Sequence, residues 1–247
     1  MPTWLQGEIV ENKQWCTDLF TIKIKTDPLA FKAGQFVIVG LDIEDEIVYR
    51  PYSLISTPQD SLLEIHFNEV LNGSLTSKLA KLKAGDAIHV ANRTSGLLTI
   101  DQVPAVPNLW LFATGTGVGP FLSILKTAEP WQRFEKIVLC YSVKTLEGLA
   151  YRDDFEALQS QYPDQFCFVP FVTREHSDNT IHARITSFLE SGELEKHVGL
   201  QLAAESSHLM LCGNEKMLIQ VTEYLESRGL RRHTRREPGH IATEKYY

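Results

Sequence analysis

The sequence predicts a two-domain chain: an antiparallel β-barrel over residues 1–100, followed by an α/β domain with a parallel sheet over residues 101–247. Three observations carry that prediction. The first hundred residues hold short β-rich runs, often alternating, with Gly, Pro, Asp and Asn between them. Further on, apolar strands alternate with helical segments, which implies a parallel sheet with helices on both faces. Between the two regions lies DQVPAVPN (101–108), whose two prolines end the first pattern.

Five runs of the first domain read as strands: LFTIKIK (19–25), QFVIVGL (35–41), VYRPYSLIS (48–56), LLEIHFNEV (62–70) and AIHVAN (87–92). One short helix, SLTSKLAKL (74–82), interrupts them, with Leu75, Leu79 and Leu82 at helical spacing. About six short strands with one helix suit an antiparallel barrel. In the second domain NLWLFAT (108–114), IVLCYSV (137–143), QFCFVPFVT (165–173) and SHLMLCG (207–213) read as strands. The helices between and after them are GPFLSILKTA (119–128), DDFEALQSQY (153–162), ARITSFLESGEL (183–194) and NEKMLIQVTEYLESRG (214–229). GHIATEKYY (239–247) is placed to add a last strand.

Composition narrows the function classes. The 247 residues are 43% hydrophobic with a formal net charge of −7, which suits a folded protein and argues against a general nucleic-acid binder. The N-terminus lacks a basic start followed by an apolar run, and no stretch approaches the roughly 20 apolar residues of a membrane span. The expectation is therefore no signal peptide and no membrane. The four cysteines form no CxxC pair, so neither a disulfide scaffold nor a zinc site is expected, and a reducing cytoplasm is the default. The eight histidines show no metal-ligand spacing, and no metal is expected.

The sharpest local signal is Thr114-Gly115-Thr116-Gly117-Val118-Gly119-Pro120, between an apolar strand and a helix. Glycines let the backbone turn tightly and approach a ligand, and the helix behind offers N–H groups and a positive dipole end to a phosphate. Pro120 suits a first helical turn, where its missing N–H costs nothing. The loop departs from GxGxxG, and a plain strand-to-helix turn is the alternative. Its place at the first βα turn of an α/β domain favours a nucleotide. NAD-binding folds usually follow the second strand with Asp or Glu, to hold a ribose hydroxyl. Here Ser142 and Lys144 stand at that strand end, with Arg174 and Arg184 at later loops. Guanidinium groups bind phosphate oxygens bidentately, so this set favours NADP(H) over NAD, against a reading as three solvated cations.

The barrel contains an unusual tetrapeptide, Arg50-Pro51-Tyr52-Ser53. If the barrel holds a flavin, Arg50 neutralises a pyrophosphate, Tyr52 lies against the isoalloxazine ring and the Ser53 hydroxyl sits near flavin N5. Gly73-Ser74-Leu75-Thr76, at the start of the short helix, then also meets phosphate. The alternative makes Tyr52 core packing and Arg50 a surface charge.

RxYS in a barrel, GxxT at a barrel helix, TGTGxGP in the next domain, LCGN near the end and a terminal aromatic together resemble the ferredoxin–NADP⁺ reductase family, and its bacterial branch in particular. The resemblance covers essentially the whole chain. It implies a ferredoxin reductase-like fold with FAD in the barrel, NADP(H) in the α/β domain and ferredoxin or flavodoxin as the electron partner. The implied reaction is hydride transfer between NADPH and FAD N5, followed by one-electron transfers to or from that partner. A reductase subunit serving an oxygenase or another partner enzyme is the alternative. The resemblance implies FAD contacts at Arg50, Pro51, Tyr52, Ser53, His66, Phe67, Asn68, Gly73, Ser74, Leu75, Thr76 and Thr116. It implies NADP contacts along Thr114–Pro120, at Ser142, Lys144, Arg174 and Arg184, and at Cys212 and Gly213. Ser53, Cys212, Glu244 and Tyr246 are implied catalytic residues. Tyr246 covers the flavin, and Tyr247 is an extension implied to stack on the FAD adenine. A monomer is implied. The partner is expected to be acidic, with Lys78, Lys81 and Lys83, or Arg231, Arg232, Arg235 and Arg236, as steering patches.

Overall fold

The computed structural model describes residues 2–245. They divide into two compact units. The first runs through Thr99 and also takes in Gly119–Thr127; the second comprises Ile100–Val118 and the chain from Ala128 onward.

The first unit contains β1 (Trp4–Cys16), β2 (Leu19–Thr26), β3 (Phe36–Ile43), β4 (Glu46–Ser53), β5 (Leu63–Asn68), the short helix α1 (Thr76–Leu79) and β6 (Ala87–Ser95). The strands form one antiparallel sheet in the order β4-β3-β6-β1-β2-β5. Its ends meet: Leu54 bridges Ile65, and the Ile55 N–H donates to the Glu64 carbonyl at 2.8 Å. The sheet thus closes into a barrel. Phe20, Ile22 and Ile24 of β2, with Val37, Val39, Ile65, Phe67 and Val90, fill its core.

β1 is the strand that periodicity missed. It is rich in Gln, Glu, Asn and Lys, and among its residues only Gly7 and Ile9 are buried. Its pairing with both β2 and β6 holds it, not an apolar face. The expected helix 74–82 shrinks to Thr76–Leu79, because Ala80 and Leu82 leave the helix and their carbonyls accept from the Asn12 side chain at 3.3 and 2.9 Å.

The second unit holds β7 (Asn108–Thr114), α3 (Glu129–Arg133), β8 (Lys136–Val143), α4 (Arg152–Gln161), β9 (Phe166–Val172), α5 (Ile185–Glu190), α6 (Glu193–Val198), β10 (Ser207–Gly213), α7 (Glu215–Ser227) and β11 (Ile241–Lys245). All five strands are parallel, in the order β11-β10-β7-β8-β9. β7, β8, β9 and β10 are largely buried on both faces, which explains their near-continuous apolar runs in the sequence, whereas the edge strand β11 is partly exposed. Trp110, Phe112, Cys140 and Phe171 pack with Leu189, Leu194, Met217 and Val221 on one side. On the other, the Phe155 ring lies 6.1 Å from Tyr141 and 5.1 Å from Phe168. The helix expected over 183–194 is interrupted at Gly192, which has a left-handed φ of 76°. The expected final strand is present as β11.

Candidate functional site

The chain reverses direction across the parallel sheet between β7 and β10: β8 and β9 extend one way from β7, β10 and β11 the other. Ligands of open α/β sheets bind outside the strand ends at such a switch point. The motifs TGTGVGP and LCGN are the continuations of these two strands, and they are locked together. The Thr114 hydroxyl accepts the Asn214 N–H at 2.7 Å. Gly117 lies so close to the Cys212 carbonyl oxygen that any Cβ would collide with it, and a Cβ on Gly213 would strike the Thr114 hydroxyl. Both glycines are therefore required by close packing. Thr114, Gly115 and Thr116 remain partly exposed, whereas Gly117, Val118, Gly119 and Pro120 are buried. The loop thus offers its first three residues to a ligand and uses the rest to shape the turn.

The following helix, α2 (Gly119–Leu125), belongs to the barrel unit. There the Ser123 hydroxyl donates to the Ser56 carbonyl at 2.7 Å. A Cβ on Gly119 would stand 3.5 Å from the Cβ of Ser53. Gly119, which opens this helix, and Ser53, some sixty residues apart, are thus neighbours within the barrel unit.

RPYS is the end of β4. Pro51 fits because β4 is an edge of the hydrogen-bonded order, where a missing N–H is tolerated. Arg50 is exposed, and its guanidinium donates to the Tyr49 carbonyl at 2.7 Å, with no carboxylate partner among the described residues. Tyr52 is 8% exposed, its ring edge-on to Phe67 with centroids 6.0 Å apart. Its hydroxyl is buried and has no hydrogen-bond partner among the described residues, and burial pushes its ionisation well above the usual tyrosine range. A buried hydroxyl without a partner is costly and rare. Ser53 is buried.

Of the residues on β5, Phe67 stacks on Phe20 in the barrel core. His66 is buried, with Nδ1 2.9 Å from the Thr21 hydroxyl, and desolvation holds its imidazole down at about 4. Asn68 is exposed and donates to the Asp18 carbonyl at 3.3 Å. The turn before α1 is held by the Thr76 hydroxyl, which accepts the Val70 N–H at 2.9 Å, and no side chain caps the helix. Ser74 is exposed at this turn, and Leu75 is buried.

Ser142 is buried at the end of β8, while Lys144, Arg174 and Arg184 are exposed. The Arg174 N–H donates to the Lys144 carbonyl at 2.9 Å, and a bridge between Phe171 and Ile181 closes the loop that carries Arg174 and leads to Arg184. Across β10 and β11, Cys212 stands opposite Glu244. Cys212 is fully buried. Glu244 is half-buried, and desolvation raises its carboxyl to about 7. Tyr246 and Tyr247 lie outside the described residues. The Asn214 lock, with the Asn214 side chain also capping α7 by accepting the Lys216 N–H at 3.0 Å, was not read from sequence, although Asn before a helix is a capping signal.

The residues present fit a flavin dinucleotide. The unpartnered Tyr52 hydroxyl, the uncompensated Arg50 and the uncapped turn at Gly73–Thr76 are what a polar, anionic ligand completes. They fit a nicotinamide dinucleotide as well, at the Gly117–Cys212 cradle. Among the described residues no group of His, Cys, Asp and Glu is arranged to hold a metal ion, and no helix is long and apolar enough to cross a membrane.

Comparison with known proteins matches two domain families in turn along the chain. An oxidoreductase FAD-binding domain matches residues 6–94, and an oxidoreductase NAD-binding domain matches residues 111–223. A flavodoxin/ferredoxin–NADP reductase of Buchnera aphidicola (subsp. Baizongia pistaciae) is 34% identical over 249 residues, covering 100% of both chains. One of Escherichia coli is 36% identical over 218 residues, covering 88% of each. A crystal structure of a ferredoxin NADP⁺ reductase from Neisseria gonorrhoeae with bound FAD and NADP superposes with a TM-score of 0.94 at 30% identity, covering 100% of both chains. The chain belongs to the flavodoxin/ferredoxin–NADP reductase family.

Proposed function

We propose that this protein is an FAD-dependent NADPH oxidoreductase that exchanges electrons with ferredoxin or flavodoxin, as a monomer in the cytoplasm. The observation that carries the reading is the packing of Gly119, from the nucleotide loop, beside Ser53 of the RPYS strand. It brings the helix that follows the nucleotide loop, Gly119–Leu125, into the unit that carries RPYS.

FAD, once bound, takes electrons in pairs and passes them on singly; the chain supplies orientation and electrostatics. Arg50 and the N–H groups of Gly73–Thr76 would hold its pyrophosphate, and the Tyr52 and Ser53 hydroxyls would bond its flavin end. Thr114, Gly115, Thr116 and Cys212 cradle the nicotinamide end of NADPH. Lys144, Arg174 and Arg184 bind its 2′-phosphate. Glu244 keeps a proton on its carboxyl below about pH 7, so the charge beside Cys212 changes near neutrality. By the family resemblance Tyr246 would cover the flavin; removing Tyr246 and Tyr247 should then alter the preference between NADPH and NADH, and an unchanged ratio defeats that role. Lys78, Lys81 and Lys83 are exposed around α1 and suit an acidic partner. Arg231, Arg235 and Arg236 are exposed too, whereas Arg232 is paired with Glu226 at 2.9 Å.

The test is direct. Purified protein should be yellow or take up FAD, and should bleach with NADPH under argon. Ferredoxin and flavodoxin, added separately with cytochrome c as the final acceptor, identify the partner. A protein that stays colourless with added FAD, or stays oxidised with NADPH, overturns the reading; reduction without transfer to either carrier points to a partner enzyme instead.

A further inference from the structure

The loop between β9 and α5 holds a pair of histidines that the site described so far does not use. The rings of His176 and His182 stack with centroids 3.7 Å apart and planes 31° apart, and both residues are exposed. Nδ1 of His182 lies 2.8 Å from the Glu175 carbonyl and 3.2 Å from the Val172 carbonyl. A carbonyl only accepts, so Nδ1 carries the hydrogen and donates; the tautomer is set, and Nε2 is the edge left to gain a proton. Arg174 stands two residues before His176, and Arg184 two residues after His182.

The ionisable neighbours are few. Lys144 and the two arginines are positive. The Glu175 carboxylate is turned onto the Leu146 N–H at 2.7 Å. Asp178, in the loop, and Glu147, on the adjoining turn, are exposed acids. Imidazole is the side chain whose charge changes between about pH 5 and 8, so an anion brought to this cluster can draw a proton onto it. Two imidazoliums in a stack repel, whereas a cation over a neutral ring is favourable.

We propose that the His176–His182 pair is a proton-dependent element of phosphomonoester recognition, sharing the 2′-phosphate of NADP(H) with Arg174 and Arg184 and sharpening the discrimination against NAD(H). The inference rests on the 2′-phosphate reading given above. His182 also acts as a positioning residue, since its Nδ1–H ties both ends of the loop.

The test is calorimetric titration of the FAD-loaded protein at pH 7 with adenosine 2′,5′-bisphosphate and with 5′-AMP, in two buffers of different ionisation enthalpy. A phosphomonoester, with its second pKa about 6, releases protons when held as the dianion, so net uptake is the signature of the imidazoles. The bisphosphate should bind with uptake of a fraction of a proton, and 5′-AMP with none. His182→Asn keeps a donor near the Nδ1 position, and His176→Gln keeps a flat polar group. Together they should abolish the uptake and weaken the bisphosphate roughly two- to fivefold, with 5′-AMP unchanged. No uptake in the wild-type protein, or uptake that survives both substitutions, overturns the inference while Arg174→Ala still weakens the bisphosphate. Should Arg174→Ala and Arg184→Ala leave bisphosphate affinity intact, the 2′-phosphate reading falls and this inference falls with it.

Discussion

Glu244→Gln is the most informative single change. Burial without a compensating cation keeps this carboxyl at about 7 instead of 4.5. Between these values the folded protein holds a proton that the unfolded chain has lost. The folded state binds more protons, so its stability falls as pH rises through that window. The full shift corresponds to about 3 kcal/mol, and water reaching the half-buried carboxylate trims it to roughly 2–3 kcal/mol. Gln has nearly the same shape and no charge. The difference in unfolding free energy between variant and wild type should therefore grow in the variant's favour by that amount from pH 4.5 to 8, and be flat below. Urea unfolding at a series of pH values measures it. Infrared spectroscopy should show a protonated carboxyl band that titrates near pH 7 in the wild type and is absent from the variant. The pH profile of kcat/KM for NADPH should carry an inflection near 7 that the variant lacks. Parallel stability curves for the two proteins across pH 4.5–8 would refute the reasoning.

Arg174→Ala and Arg184→Ala should each cost roughly 1.5–3 kcal/mol of NADPH binding, about ten- to a hundredfold, with little effect on NADH; equal losses in both cofactors by inhibition or direct titration defeat the assignment. Tyr52→Phe removes a hydroxyl that is buried without a protein partner, so the FAD-free protein should keep its thermal stability or gain some, while FAD affinity falls by about tenfold. A less stable apoprotein with unchanged FAD affinity speaks against the fit. His66 is held at about 4 against an ordinary 6.5, so the unfolded chain takes up the proton first. The stability it contributes is present above pH 6.5 and is lost as pH falls toward 4, by about 3 kcal/mol. His66→Gln should flatten that acid limb in denaturation curves, and an unaltered limb counts against burial as the cause.

Much of the fold was legible because its signals are local. The apolar runs 108–114, 137–143, 165–173 and 207–213 are buried on both faces, and continuous hydrophobicity betrays such strands. The loops carry chemistry that glycine, proline and arginine spell out within a few residues. β1 was not legible, because most of its side chains are polar and face solvent, only Gly7 and Ile9 are buried, and pairing with two neighbouring strands places it. Nor was the break at Gly192, since the apolar spacing on either side still reads as one helix.

The sequence by itself determined the element types, the motif order and the residue classes able to meet phosphate, since these depend on side-chain chemistry and short-range spacing. Only the tertiary structure decided that Gly117 must be glycine against the Cys212 carbonyl, that Gly119 lies beside Ser53, that the Tyr52 hydroxyl lacks a protein partner and that Glu244 is held near neutrality. Each of these turns on contacts or burial between residues distant in the chain, and desolvation and steric overlap exist only once the packing is made.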